Sequence, residues 1–140
     1  MSRTFLIPSG VLPDVREAIL SVMGDAAMDL QEPVIRPERE RHPEWFVESR
    51  ARLEHLWRLL DLIGWGEAGQ EEDVELDHSE YGLTILDAAR QHAERYETWE
   101  EEADATDEWL LEEGEPPRKA ATLRRGADLR EFISALEPVV

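Results

Sequence analysis

Apolar residues recur at steps of three and four along four segments of the chain, and this spacing predicts four helices. The first segment runs from about Pro13 to Leu30, with proline where a helix tolerates it best. The second begins at His42-Pro43-Glu44 and ends before Gly64, because glycine favours the conformation that follows a helix. Its stripe consists of Phe46, Ser49, Leu53, Leu56, Leu60 and Ile63.

The third segment gives the longest prediction, one helix over about residues 79–113. It follows Asp77, and the stripe then continues without a break through Ile85, Ala89, His92, Tyr96, Trp99, Ala103, Thr106 and Leu110. Such a helix would measure about 50 Å, against about 30 Å for the second one. We therefore expect it either to bend or to project from the rest of the fold.

The fourth helix follows the stop signal Gly114-Glu115-Pro116-Pro117 and extends to about Glu137. Val74 and Leu76 alternate with acids, which predicts a short strand that pairs with residues 4–7. Short connections favour antiparallel neighbouring helices. We therefore expect an all-α, antiparallel four-helix bundle-like fold with a minor two-stranded extension, formed as one domain by residues 1–140.

Composition supports a folded chain and limits its chemistry. The 140 residues are 41% hydrophobic, enough to bury a core, and none of them is cysteine, which excludes disulfides and thiolate chemistry. The apolar run Phe5-Leu6-Ile7 is shorter than a secretion signal needs, and no segment has the length of a membrane span. We expect a cytoplasmic protein that binds no membrane.

The charge of the chain is strongly negative and unevenly distributed. Lys and Arg number 15 against 33 Asp and Glu, a formal net charge of −18, which argues against a nucleic-acid-binding protein. Neither residues 59–89 nor residues 97–115 contain a cation. The fourth helix carries five, namely Arg118, Lys119, Arg124, Arg125 and Arg130. An antiparallel hairpin would bring them beside Glu101, Glu108 and Glu112.

We call residues 97–115 the acidic stretch. Three interpretations of it stay open: a solvated face, a docking surface for a basic protein, and a nucleic-acid mimic. Two tryptophans lie in the same stretch, and an aromatic residue with a polar rim is typical of protein interfaces. We predict an interaction surface formed by Trp99, Glu100, Glu101, Glu102, Asp104, Asp107, Glu108 and Trp109. A homodimer formed through this end is the expected assembly, and a basic protein is the other possible partner.

An enzymatic alternative comes from the same acids. Glu97-x-x-Glu100-Glu101 and Glu101-x-x-Asp104 resemble the acidic helices with which all-α nucleotide pyrophosphohydrolases hold Mg²⁺ against a triphosphate. The resemblance covers residues 97–104 alone, and it places on one helix what that family divides between two. A lone histidine on an apolar stripe, such as His92, is more often a hydrogen-bonded core residue than a catalyst.

No residue pattern in the sequence assigns a catalytic residue, a cofactor or a metal. The sequence therefore predicts a small acidic, non-catalytic interaction or regulatory module. A Mg²⁺-dependent pyrophosphohydrolase and an acidic nucleic-acid mimic are the two alternatives.

Overall fold

The computed structural model describes residues 3–31, 37, 39–66 and 72–140, and its main elements are five helices and two strands. In chain order they are β1 (Thr4–Ile7), α1 (Leu12–Asp29), α2 (Pro43–Ile63), β2 (Val74–Asp77), α3 (His78–Glu101), α4 (Ala103–Glu112) and α5 (Lys119–Leu136). Residues 39–41 are helical as well. The predicted all-α fold with a minor strand pair is confirmed.

The chain divides into two compact units. One consists of Met1–Val15 and Glu71–Val140, and the other of Arg16–Gln70. The prediction of one domain over residues 1–140 stays a prediction. Within the described residues, every helix is too short or too polar to cross a bilayer.

The predicted strand pair forms in the first unit. β1 runs antiparallel to β2, with Thr4 opposite Asp77 and Ile7 opposite Val74. Alternate side chains of a strand point to opposite faces, and the two buried ones of β1 are Phe5 and Ile7. The strand pair therefore contributes an apolar face to the core of this unit.

The long helix predicted over residues 79–113 is divided at Glu102. The φ and ψ angles of Glu102 are −90° and −2°, away from helical values, so α3 ends before it and α4 begins after it. Hydrogen bonding continues on both sides, because Glu102 N–H donates to Thr98 O at 3.0 Å and Thr106 N–H donates to Glu102 O at 2.9 Å. Ala103 and Leu110 are buried, so α4 packs onto the unit and does not project from it.

The core of the first unit depends on a close approach between α3 and α5. Gly126 on α5 lies directly over Tyr96 and Glu100 of α3. A Cβ atom at this position would lie 3.3 Å from Cδ1 of the tyrosine ring and closer still to the glutamate Oε1. The absence of a side chain at Gly126 thus permits the contact between the two helices.

In the second unit, α2 ends where the sequence predicts. Gly64 follows it with a φ of 86°, a conformation that glycine adopts without strain. The buried Arg16 donates to Gly64 O at 2.9 Å and to Ile63 O at 3.3 Å, and so satisfies carbonyls that a helix end leaves without partners. Trp65 folds back onto α2, where its Nε1 donates to Asp61 at 2.8 Å and its ring lies edge-on to Trp57.

Trp57 itself is 54% exposed. Trp57 therefore lies outside the core of this unit. The side chains of α2 that are buried are Leu56, Leu59, Leu60 and Ile63.

Candidate functional site

Three of the acids in the predicted interaction surface are used within the fold, where they join α3 and α4 to α5. Glu100 lies 2.8 Å from the guanidinium of Arg130, and Asp104 accepts from Lys119 Nζ at 2.7 Å, which raises the pKa of that lysine. Asp107 accepts from the backbone amides of Arg118 and Lys119 at 2.7 and 3.2 Å. These amides open α5, so the carboxylate caps a helix start that Arg118 does not cap itself.

The charge-matched hairpin thus forms with different partners from those expected. Within the part of the chain that the structure describes, Glu101, Glu108 and Glu112 make no ion pair with α5. Residues 100, 104 and 107 step by four and three, which places them on the side of the segment that faces α5. The helix break at Glu102 precedes two of the three and brings α4 alongside the start of α5.

Four other residues of the predicted surface are exposed: Glu101, Glu102, Glu108 and Trp109. We define the acidic surface as Glu101, Glu102, Glu108, Trp109 and Leu111. All five are exposed: Trp109 to 59% and Leu111 to 75%. Among the described residues, the three glutamates have no ion-pair partner. Two large apolar side chains therefore lie in solvent next to carboxylates that the fold does not use.

Trp99 does not join this surface. It is 37% exposed and packs edge-on against two aromatic rings of its own helix, with centroid distances of 4.9 Å to Tyr96 and 5.7 Å to His92. Such edge-to-face contacts are favourable arrangements for aromatic rings. Trp99 therefore covers part of the core.

Beneath Trp99 lies a buried polar group that the sequence did not reveal. We call it the Asp14 cluster: Asp14 of α1, His92 and Tyr96 of α3, and Arg125 of α5. Asp14 is 2% exposed and His92 is fully buried. Tyr96 and His92 are four residues apart on α3, so both rings reach the same carboxylate.

The carboxylate of Asp14 accepts hydrogen bonds from three side chains. Oδ1 accepts from the Tyr96 hydroxyl at 2.5 Å and from Arg125 Nη2 at 2.9 Å, and it lies 3.3 Å from His92 Nε2. Oδ2 accepts from Arg125 Nε at 3.4 Å. Arg125 thus binds both oxygens, the bidentate geometry that suits guanidinium and carboxylate groups.

These contacts keep Asp14 ionised despite its burial. Removal from water raises the pKa of the carboxyl, but the hydrogen bonds from His92 and Tyr96 and the charge of Arg125 together hold that pKa below its ordinary value. A buried charge is tolerated when it is paired and hydrogen-bonded in this way. Within the first unit, the Asp14 cluster therefore joins the first turn of α1, which contains Asp14, to α3 and α5.

The chemistry open to the Asp14 cluster is limited by access. A general base must reach the proton that it removes, but Asp14 is almost entirely buried and His92 is fully buried. Arg125 covers the group with a half-exposed side chain whose guanidinium is engaged by the carboxylate. The geometry is that of a structural ion pair, and His92 is a hydrogen-bonded core residue, as the sequence predicts.

The spacing of apolar residues in the sequence could have indicated that Asp14 is buried. Val11, Asp14, Val15 and Ala18 step by three, one and three residues, so the acid lies within an apolar stripe of α1. An acid at such a position requires a buried partner. Arg125, by contrast, is one of several arginines on α5 and nothing in its spacing distinguishes it.

The acids of the pyrophosphohydrolase alternative are separated in the structure. Glu100 pairs with Arg130 and Asp104 with Lys119, while Glu97 and Glu101 are exposed. Within residues 3–31, 37, 39–66 and 72–140, these four side chains do not bring three oxygens close enough together to hold one metal ion.

Comparison with known proteins adds no functional assignment. The chain matches no protein-family model, no curated protein and no solved structure.

Proposed function

We propose that this protein is a non-catalytic, cytoplasmic interaction module, and that its acidic surface binds a basic partner protein. The observation that carries the proposal is the 59% exposure of Trp109 beside glutamates that have no ion-pair partner in the described chain. Tryptophan is the residue type most often found to dominate the binding free energy of an interface.

Only some acids of the first unit are paired with cations of the fold, and the unpaired ones favour a basic partner. Glu100, Asp104 and Asp107 satisfy the cations and amides of α5, whereas Glu101, Glu102 and Glu108 remain available. A negative surface attracts a positive partner over a distance of about one Debye length, about 8 Å at physiological salt, and raises the association rate. Phosphate groups would be repelled by the same field, so the partner is not a nucleic acid.

The acidic surface suits a different protein better than a second copy of this chain. A two-fold symmetric contact brings each residue near the equivalent patch of its partner. Glu101, Glu102 and Glu108 of two copies would then face one another and repel. The predicted homodimer therefore needs another surface of the molecule, and it stays a prediction.

The test compares two exposed tryptophans. We expect Trp109→Ala to abolish capture of a basic protein from a lysate of the native cells. Trp57→Ala is the matched control, because Trp57 is 54% exposed but lies on α2 in the other unit. Capture should also weaken steeply with added salt. Equal capture by wild type and Trp109→Ala would contradict the proposal.

Two further outcomes would assign a different class. Mg²⁺-dependent hydrolysis of nucleoside triphosphates that disappears in Glu100→Gln/Asp104→Asn would make the protein an enzyme. A captured protein that is displaced by duplex DNA would make it a nucleic-acid mimic.

A further inference from the structure

A groove runs along one edge of β1, between the strand and α5. Its two parts have volumes of about 240 and 400 Å³ and share Leu6, Phe132 and Ala135. Three consecutive residues of β1, from Thr4 to Leu6, line the smaller part. Consecutive side chains of a strand point to opposite faces, so a groove lined by all three follows the strand's edge.

This edge of β1 has no strand beside it. β2 contributes no residue to the lining of either part, and the sheet of the described residues contains two strands. His78 N–H donates to Arg3 O at 2.9 Å, which makes Thr4 and Asp77 a pair without mutual hydrogen bonds. The backbone N–H and C=O groups of Thr4 and Leu6 therefore point away from β2, along the groove.

The two ends of the edge carry opposite charges. Asp128 and Glu131 of α5 line the end of the groove near Pro8, and Arg3 precedes the strand at its other end. All three are exposed, and none forms an ion pair with another described residue. An antiparallel strand with the sequence of β1 itself would place its own arginine at the acidic end.

We propose that β1 pairs antiparallel with β1 of a second copy of this chain, so that the protein is a two-fold symmetric dimer with a continuous four-stranded sheet. Thr4 of each copy lies opposite Leu6 of the other, because these positions carry the outward amides and carbonyls. In that register Arg3 lies opposite Ile7 of the second copy, next to its Asp128 and Glu131. The 52% exposed Leu6 loses its contact with solvent.

The short strand itself supports a specific pairing. Pro8 follows β1 directly and has no N–H to donate, so the pairing edge ends there. β2 occupies the other edge of β1, so each copy offers a single β1 edge and the pairing stops at two copies. The symmetric register repeats each contact twice, which is the way two-fold interfaces form. The proposal is independent of the acidic surface, since it uses no residue of α4.

The experiment is a charge exchange followed by sedimentation equilibrium of the full chain. We expect wild type to dimerise, and we expect Arg3→Glu and Asp128→Lys/Glu131→Lys each to raise the dimer dissociation constant at least tenfold. An equimolar mixture of these two variants should form a heterodimer close to wild type in affinity, because both contacts then join opposite charges. Arg124→Glu is the matched control, because Arg124 is exposed on α5 and lines neither part of the groove.

Hydrogen exchange provides the readout of strand pairing. The amides of Thr4 and Leu6 should exchange more slowly as the concentration rises through the dimer dissociation constant. The proposal is overturned by a monomer at every concentration, by charge-reversed variants that dimerise like wild type, or by a mixture that does not recover. It is also overturned if Trp109→Ala dissociates the dimer, or if wild type stays monomeric and a synthetic peptide from another protein adds to the edge instead.

Discussion

The Asp14 cluster and the acidic surface both lie in the first unit, but the carboxylate of the cluster is buried and paired, whereas those of the acidic surface are exposed and unpaired among the described residues. Asp14 is removed from water and accepts hydrogen bonds from three side chains. Glu101, Glu102 and Glu108 are exposed and have no ion-pair partner in the described chain. The same functional group thus holds helices together in one place and is free for a partner in the other. Its contribution to stability depends on burial and pairing, and not on the number of acids nearby.

The largest effect in this comparison should come from Asp14→Ala. The change removes the carboxylate that accepts from the buried Tyr96 hydroxyl, contacts His92 and pairs with Arg125. Removing one member of a buried charged pair costs about 3–5 kcal/mol, and the half-exposed Arg125 places the expected loss near 3 kcal/mol. Urea denaturation measures it. Glu94→Gln, at an exposed acid on α3, should change the free energy of unfolding by less than about 0.5 kcal/mol.

The acid sensitivity of the fold should reveal the same carboxylate. Because the pKa of Asp14 is lower in the folded state, its stabilising effect is complete above the pKa of the unfolded chain, about 4. It is lost as the pH falls further, through the folded-state pKa.

The measurement is the difference in unfolding free energy between wild type and Asp14→Asn at a series of pH values. This difference should be constant above about pH 5 and should shrink below about pH 4, since the other carboxylates cancel in it. A difference that stays constant down to pH 2 would show that folding does not lower the pKa of Asp14, and a difference that grows as the pH falls would show that burial raises it.

A smaller loss should come from Gly126→Ala. The new methyl group meets the Tyr96 ring and the end of the Glu100 side chain, and such overpacking costs about 1–3 kcal/mol. Replacing a glycine inside a helix returns about 0.5–1 kcal/mol, so we expect a net loss of about 1 kcal/mol. Gly24→Ala is the matched control, because Gly24 lies inside α1 with nothing near the position of a Cβ. That change should stabilise the protein by about 0.5–1 kcal/mol. Thermal denaturation of the two variants should give shifts of opposite sign.

The sequence was sufficient to locate a helix or strand where the residues of that element alone determine its bounds. The helical spacing and the glycine after residue 63 located α2, and the alternation of Val74 and Leu76 located β2 beside residues 4–7. It failed at Glu102, because the stripe through Ala103 and Leu110 is the same whether the helix is straight or broken. The break precedes Asp104 and Asp107, whose contacts with Arg118 and Lys119 join segments that are distant in the sequence.

The candidate site shows the same limit. Residue types alone predict an interaction surface of eight residues, but only four of them are exposed without an ion pair or aromatic contact in the described chain. Glu100, Asp104 and Asp107 contact α5, Trp99 packs against Tyr96 and His92, and the predicted interaction surface stays a prediction. At the start of α3, Asp77 accepts from the Ser79 hydroxyl and from no amide of the helix. Side-chain partners depend on tertiary geometry that periodicity does not contain.

The most direct test of the contrast between the two regions is the unfolding free energy of the variant Glu101→Gln/Glu102→Gln/Glu108→Gln, measured with urea at neutral pH. The substitutions keep the shape of the acidic surface and remove its charge. We expect a free energy equal to wild type within about 0.5 kcal/mol, or higher because like-charge repulsion is relieved, while capture of the basic partner is lost. A loss of more than about 1 kcal/mol would contradict the account, because these glutamates would then stabilise the fold as Asp14 does.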